Sequence, residues 1–399
     1  MPLKPLLRRT NLLPGESLPS FLERLTLLNF YQNSSVLRWI CDNSNKKQTH
    51  LDNLFRPKSF QTFSRLSQLT MISTQELFDA SDHYFAPMLT PLGREKTMIP
   101  WTNEGEKQIV GPAILQRHLH CPNAVQFCSL CLKESSYHRL AWVPAVSSAC
   151  LHHKCLLSNQ CSNCGSSISI RELINKFCKN CKADLREMPS TYVGGNKLGM
   201  ISQQAIQSWL SLALAPQVPS YFKWPDQPPI IMYQLLDKLF LSLLSCQKDW
   251  PELPGVFISL SKEVNQTLKT HIKMSPYHAF HLYRAAFKGI AFWPYGLYLF
   301  LDNYNLRNIN EASYFNDAIY FNDAYYKVAV RLGAFGAWFL KAWKHQEFEF
   351  LLRAMVRYLA SRTIDIPYKI SIQFRDEPWF KDAANFELIE ILGLTSFEK

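Results

Sequence analysis

Four short knuckles crowd one stretch of this chain and constrain its fold more than any other feature. Cys128-x2-Cys131 is followed after eighteen residues by Cys150-x2-His153. Cys161-x2-Cys164 is followed after thirteen by Cys178-x2-Cys181. A CxxC turn places two thiolates on one side of a knuckle, and two knuckles complete a tetrahedron. Zinc favours that geometry and these soft ligands. The spacing therefore predicts two zinc ions, one held by Cys128, Cys131, Cys150 and His153, the other by Cys161, Cys164, Cys178 and Cys181. Four protein ligands at each site leave no position for water or substrate, so both ions are expected to be structural. Gly165 directly follows a knuckle of the second site, where a left-handed backbone turn is often needed.

Nine of the eleven cysteines lie between Cys121 and Cys181. Paired CxxC units in a chain without an export signal read as metal ligands rather than disulfides. Arg8, Arg9, Thr10 and Asn11 interrupt the apolar run from Leu6 to Leu13, so no signal-peptide core forms there. The greasiest stretch, Gly289 to Leu301, is too short for a membrane span and contains Pro294. A soluble cytoplasmic protein with no membrane partner is expected. Cys41 and Cys246 stand alone and read as core thiols. Cys121 and Cys155 read the same way by default, although both sit close enough to be rival ligands. His152 competes with His153, which is preferred because its spacing matches the other knuckles. His118, His120 and His138 have no partner at clear ligand spacing.

Apolar residues at Leu18, Phe21, Leu22, Leu25 and Leu28 fall on one helical face, with Ser17 as a candidate cap and an end near Asn29. A second helix is expected around Ser35 to Cys41. A helix-turn-helix candidate follows. Phe63, Leu66 and Leu69 mark a short helix, Met71 and Ile72 the turn, and Ser73-Thr74-Gln75-Glu76 a capping box opening a helix to about Ala80. Residues 83–110 read as irregular. From Ile230 the pattern is again helical and aromatic, with Tyr295, Tyr298, Phe300 and Tyr304 assigned to the core. The expected fold is mainly α and multi-domain. An N-terminal helical domain with the helix-turn-helix covers 1–110, a double zinc-knuckle module with small β hairpins covers 111–190, and a C-terminal helical domain covers 191–399, with a linker in about 190–230.

The formal net charge is +11 over 399 residues. Residues 1–200 carry 23 Lys+Arg against 14 Asp+Glu, and residues 201–399 carry 20 against 18. The basic surface thus belongs to the first half, which suits nucleic acid or acidic partners. No GxxxxGK[ST] loop and no HExxH are present. Glu347, Glu349, Asp365, Asp376 and Glu377 read as solvated helix faces. The chain is read as a non-enzyme.

The run Pro14-Gly15-Glu16-Ser17-Leu18-Pro19-Ser20-Phe21-Leu22-Glu23-Arg24-Leu25, with Asn29-Phe30-Tyr31 after it, resembles the opening of the TniQ/TnsD family. Cys128-Ser129-Leu130-Cys131-Leu132-Lys133-Glu134, then Tyr137, Arg139 and Trp142, then Cys150-x2-His153-x3-Leu157-x3-Cys161-x2-Cys164-Gly165, is similar to that family's central pattern. Trp293-Pro294 is similar to a further family feature. Ser129 departs from it, because many members have proline after the first cysteine, but the ligand spacing is intact. The resemblance implies a target-selection protein of a transposon, one that recruits a AAA+ regulator of the transposase. Some members read a DNA attachment site. Shorter ones dock on an RNA-guided CRISPR effector complex with its guide RNA, often as a homodimer, and this chain is most like those.

Arg24, Arg38 and Arg65 are candidate partner contacts on the N-terminal helices. Glu76, Asp79 and Asp82 give the helix after Ser73 a negative side, which disfavours it as a groove reader. Direct DNA contact would rather use Lys176, Lys179, Lys182 and Arg186. Phe380 to Leu392 with Gly393-Leu394-Thr395-Ser396 looks like the start of another helix-turn-helix without its recognition helix. That favours the RNA-guided adaptor over the direct DNA reader.

Overall fold

The computed structural model describes residues 4–32, 60–85, 88, 124–212, 225–245, 274–305, 348–351 and 353–354. The helix expected at Ser35 to Cys41, Arg38, His118, His120, Cys121, Cys246 and the segment from Phe380 lie outside these residues. Among the described residues the fold is mainly helical, with one two-stranded antiparallel sheet. The chain divides into two compact units, Met1–Gln217 with Lys262–Arg284, and Val218–Ser261 with Ala285–Lys399.

Helix α1 spans Leu18–Leu28 and buries Leu18, Phe21, Leu22 and Leu25. Burying each such side chain contributes about 1.5–3 kcal/mol. Leu28, expected on the same face, is exposed in the last turn. Ser17 stands at the N-cap, but its side chain makes no cap hydrogen bond. Pro19 in the first turn has no amide to cap. The Leu18 amide instead donates to the Ala80 carbonyl at 2.6 Å.

Helix α2 (Phe60–Thr70) and helix α3 (Thr74–Asp79) form the expected helical pair. Phe63, Leu66 and Leu69 are buried beneath α2. Met71 turns the chain with φ 63°, in the left-handed region. The capping box forms as the residues predict: the Glu76 amide donates to Ser73 Oγ at 3.2 Å, and the Ser73 amide donates to Glu76 Oε2 at 3.1 Å. After Ala80 the chain makes a 3-10 turn over Asp82–Phe85.

Helix α4 (Ser129–Glu134), strands β1 (Ala149–Cys150) and β2 (Cys155–Leu156), and helix α5 (Ile170–Asn175) make the cysteine-rich part. The strands pair Ala149 with Leu156 and Cys150 with Cys155. Its core joins Phe127, Leu132, Trp142, Leu157, Ile168, Ile170, Leu173 and Leu185 with most of the cysteines. Helix α1 lies against α5.

The stretch 190–230, expected to include a linker, holds helix α6 (Lys197–Trp209). Gln203 Oε1 accepts from the amides of Ser148 at 2.8 Å and Ala149 at 3.3 Å, tying α6 to β1. Asparagine at the cap, Asn196, accepts from the Gly199 amide at 3.0 Å.

Helix α7 (Pro229–Ser245) buries Leu235, Leu236, Leu239, Phe240 and Leu243 within the second unit. Helix α8 (Pro276–Ala291) belongs to the first unit through Arg284 and to the second beyond it. Helix α9 (Tyr295–Asn305) follows. Gly296 permits a close return of the chain, because a Cβ there would lie 2.2 Å from the Lys288 carbonyl oxygen. The aromatic assignment needs correcting on α9. Phe300 is buried, but Tyr295 is 72 % exposed and Tyr298 only half-buried. Leu297, Phe300 and Leu301 share the buried face at helical spacing, which leaves Tyr295 on the other side. No helix among the described residues is long and apolar enough to cross a membrane.

Candidate metal centre

The structure brings the eight predicted ligands into two groups of four. In each group one candidate atom per residue lies within 4.8 Å of the others. In the first, Cys131 Sγ lies 3.6 Å from Cys150 Sγ. His153 Nδ1 lies 3.3 Å from Cys131 Sγ, 3.6 Å from Cys128 Sγ and 3.8 Å from Cys150 Sγ. In the second, Cys161 and Cys181 are 3.6 Å apart at sulfur, and Cys164 and Cys178 3.7 Å. A tetrahedral zinc with ordinary bond lengths has S–S edges of about 3.8 Å and S–N edges of about 3.5 Å. The donor sets fit such an ion, and both groups are compatible with zinc.

The local folding of the knuckles explains how these positions arise. Cys128 sits at the N-cap of α4 and Cys131 inside it, so one knuckle is helical. The other three end in a residue with positive φ: Lys154 at 53° after His153, Gly165 at 69° after Cys164, and Lys182 at 62° after Cys181. In the second group the turn closes twice in the same way. The Gly165 amide donates to the Cys161 carbonyl at 2.8 Å, and the Lys182 amide to the Cys178 carbonyl at 2.9 Å. The glycine suits this turn by its missing Cβ. The two lysines carry no such signal in their chemistry, since a side chain in this region is tolerated only when surrounding structure fixes it.

His153, not His152, is the histidine turned to the thiols. Its Nε2 faces Glu134 Oε1 at 3.0 Å. A carboxylate on the outer nitrogen holds the imidazole with Nδ1 inward, the kind of outer partner that orients a metal-bound histidine. Glu134, His152 and His153 also come together as a trio. With Nδ1 committed to the thiols, the outer N–H of His153 is an orienting hydrogen bond rather than a place for a third ion. Sequence reasoning passed over Glu134, although its position three residues after Cys131 on a helix puts it one turn along.

The thiols are already polarised. Hydrogen bonds from Cys131, Cys150 and Cys155 hold Cys128 well below the usual thiol range. The same contact with Cys128, together with burial, pushes Cys131 up. In the second group burial opposes ionisation of Cys178. Hydrogen bonds from the Cys181 amide, Ser166 and the Asn180 amide outweigh it and bring Cys178 down to about 6. Burial pushes Cys161 up to about 11.

The first group is tied to α1 by a clasp. Gly15 has φ 64°, and its carbonyl accepts from the Leu140 amide at 2.7 Å. The Ser17 amide donates to the His138 carbonyl at 3.0 Å, and Ser17 Oγ lies 2.9 Å from His138 Nδ1. The His138 amide donates to Ser20 Oγ at 3.0 Å, and Tyr137 Oη donates to the Pro14 carbonyl at 3.0 Å. Glu16, whose side chain is 0 % exposed, accepts from Arg24 at both oxygens, from Ser20 Oγ and from the Leu13 amide. This is why the Ser17 hydroxyl does not cap its own helix.

Of the candidate contacts, Arg24 is thus spent on Glu16 and on the Asn11 carbonyl. Arg65 lies half-buried on α2. Lys179 and Lys182 are exposed on the last knuckle, with Lys176 half-buried beside them. Arg186 is paired with Asp184 at 2.6 Å. Cys155 is expected from the sequence as a core thiol. It is buried in that core, yet its sulfur is 3.5 Å from Cys128 Sγ.

No curated protein matches the chain. Residues 7–157 match the family model described as TniQ, a span that contains the whole Gly15–Arg24 clasp and all four donors of the first group. Over residues 7–157 the chain is thus similar to the TniQ family.

Proposed function

We propose that this protein is a non-catalytic target-selection adaptor in transposition, linking an RNA-guided CRISPR effector complex to the AAA+ regulator of a transposase. Zinc occupies both four-donor groups and acts structurally, since every ligand position is filled by protein. The observation that carries the reading is the clasp. The family match covers it, and its polar residues are consumed in joining α1 to the first group. A motif of Gly, Glu, Ser and Arg so used is a scaffold and not an active site. Partner docking then falls to the surfaces that the scaffold holds in place, α1 to α3.

The test is co-purification of the zinc-loaded protein with the effector complex and with the AAA+ protein of its own element. Retention by both supports the adaptor. Retention by neither, with the chain folded, overturns it.

A second reading is direct DNA recognition, favoured by exposed Lys179 and Lys182 beside Lys176. Binding to random and candidate attachment-site DNA across a salt series separates the two. Phosphate contacts alone give weak, sequence-blind affinity that falls steeply with salt, whereas a site reader keeps a strong preference over competitor DNA.

A further inference from the structure

The carboxylate that orients His153 stands between several partners. Glu134 ends helix α4, and its side chain is 48 % exposed. Its Oε1 lies 3.0 Å from His153 Nε2 and 3.4 Å from His152 Nε2. Its Oε2 lies 3.9 Å from Nη2 of Arg139. An exposed carboxylate left to itself can swing into water or toward His152, and then it no longer orients His153. Arg139 is fixed from two sides. Its backbone bridges to Glu16 inside the clasp, between the Ser17 amide bond to the His138 carbonyl and the Leu140 amide bond to the Gly15 carbonyl. Its guanidinium lies over the rings of Tyr137 at 5.2 Å and Trp142 at 5.7 Å. Trp142 is buried in the core that holds Cys128, Cys131 and Cys150, and Tyr137 is tied to the Pro14 carbonyl. Stacking on aromatic faces suits the planar guanidinium and limits its movement.

We propose that Arg139 is a positioning residue of the first metal group, holding Glu134 against His153 and so linking the histidine ligand to the clasp on α1. The chain of contacts runs from Glu16 to Arg139 along the backbone, then through side chains to Glu134 and His153. At 3.9 Å Arg139 acts on Glu134 by its charge and not through a hydrogen bond. Partly exposed ion pairs are weak, so the residue tunes metal affinity and does not decide occupancy.

This role rests on zinc occupancy of the first group. Competition with a chromophoric chelator, on the purified full-length protein, gives an affinity for each bound zinc. Glu134→Gln should weaken one ion by about ten-fold or more and leave the other unchanged. Arg139→Gln should weaken the same ion by about three- to five-fold. Arg139→Lys, which keeps the charge, should stay close to the unaltered chain. Added to Glu134→Gln, Arg139→Gln should cost nothing further, because a residue that acts through Glu134 has nothing left to hold. An unchanged affinity in Arg139→Gln overturns the proposal, as does an equal further loss in the double variant, which would assign Arg139 to packing alone. A loss in Arg139→Lys as large as in Glu134→Gln overturns it even where Arg139→Gln does not fold. Each of these outcomes leaves the two-zinc reading standing. Fewer than two zinc ions on the unaltered chain overturns that reading, and the role of Arg139 with it.

Discussion

The two metal groups share a sequence grammar and differ in what they hold. The first draws its donors from a helix and a hairpin eighteen residues apart, buries Cys128, Cys131 and Cys150 to 5 % exposure or less, and stands beside the clasp that fixes α1. The second is a pair of turns flanking α5 between Cys161 and Cys181, with Cys164 exposed and Cys181 half-buried. Metal in the first group would hold α1 through the clasp, whereas metal in the second would reach α1 only through α5, the helix lying between its two knuckles. Closely related donor sets, three cysteines with one histidine and four cysteines, therefore predict unequal consequences, set by what each site is tied to.

The largest effect follows from removing one ligand from each group. Structural zinc supplies about 10–16 kcal/mol of apparent binding free energy, comparable with the whole stability of a domain. Cys131→Ser should abolish cooperative unfolding of the first unit and strip hydrogen-exchange protection from α1. Cys164→Ser should lose one zinc and lower α1 protection less, because the clasp still holds α1 when α5 loosens. Equal loss of α1 protection in both variants would break the comparison. A chelator should likewise empty the second group first, with helical circular dichroism unchanged until the first releases its ion. Simultaneous release would argue for one cooperative metal unit.

Next in size is the clasp. Arg24→Ala leaves the buried Glu16 carboxylate without its cation, at a cost of about 3–5 kcal/mol. The unfolding free energy from denaturant titration should fall by that amount while zinc stays at two per chain. Zinc loss in this variant would show that clasp and first group cannot be separated.

Smaller effects sharpen the picture at the second group. Gly165→Ala forces a side chain into φ 69° and should cost about 1–2 kcal/mol, felt in zinc retention there and not in α1 protection. Ser169→Ala removes the cap of α5 and should cost about 1 kcal/mol. That cap is also pH-dependent. Burial alone would raise Glu172, but hydrogen bonds from the Lys179 amide and from Ser169 outweigh it and hold the carboxyl below its ordinary value. A lowered carboxyl pKa contributes stability above its unfolded value and loses it as pH falls through the folded one. Thermal melts in mild acid should therefore show the capped chain converging on Ser169→Ala.

The sequence by itself determined whatever depends on neighbours a few residues apart. CxxC spacing assembled both donor groups, 3.6-residue periodicity gave α1 its buried face, and Ser73 with Glu76 closed the capping box. Gly165 adopted the turn its missing Cβ allows. The tertiary structure alone decided where side chains with several possible partners went. Ser17 abandoned its own helix for His138, 121 residues away, and Arg24 turned from solvent to a carboxylate that folding had buried. Lys154 and Lys182 took left-handed turns that their chemistry does not favour, and Cys155 came within reach of Cys128 because strand register placed it opposite Cys150. Local spacing limits which contacts the backbone can make nearby. Only packing sets which distant group arrives first, and a buried polar atom must take the partner that arrives.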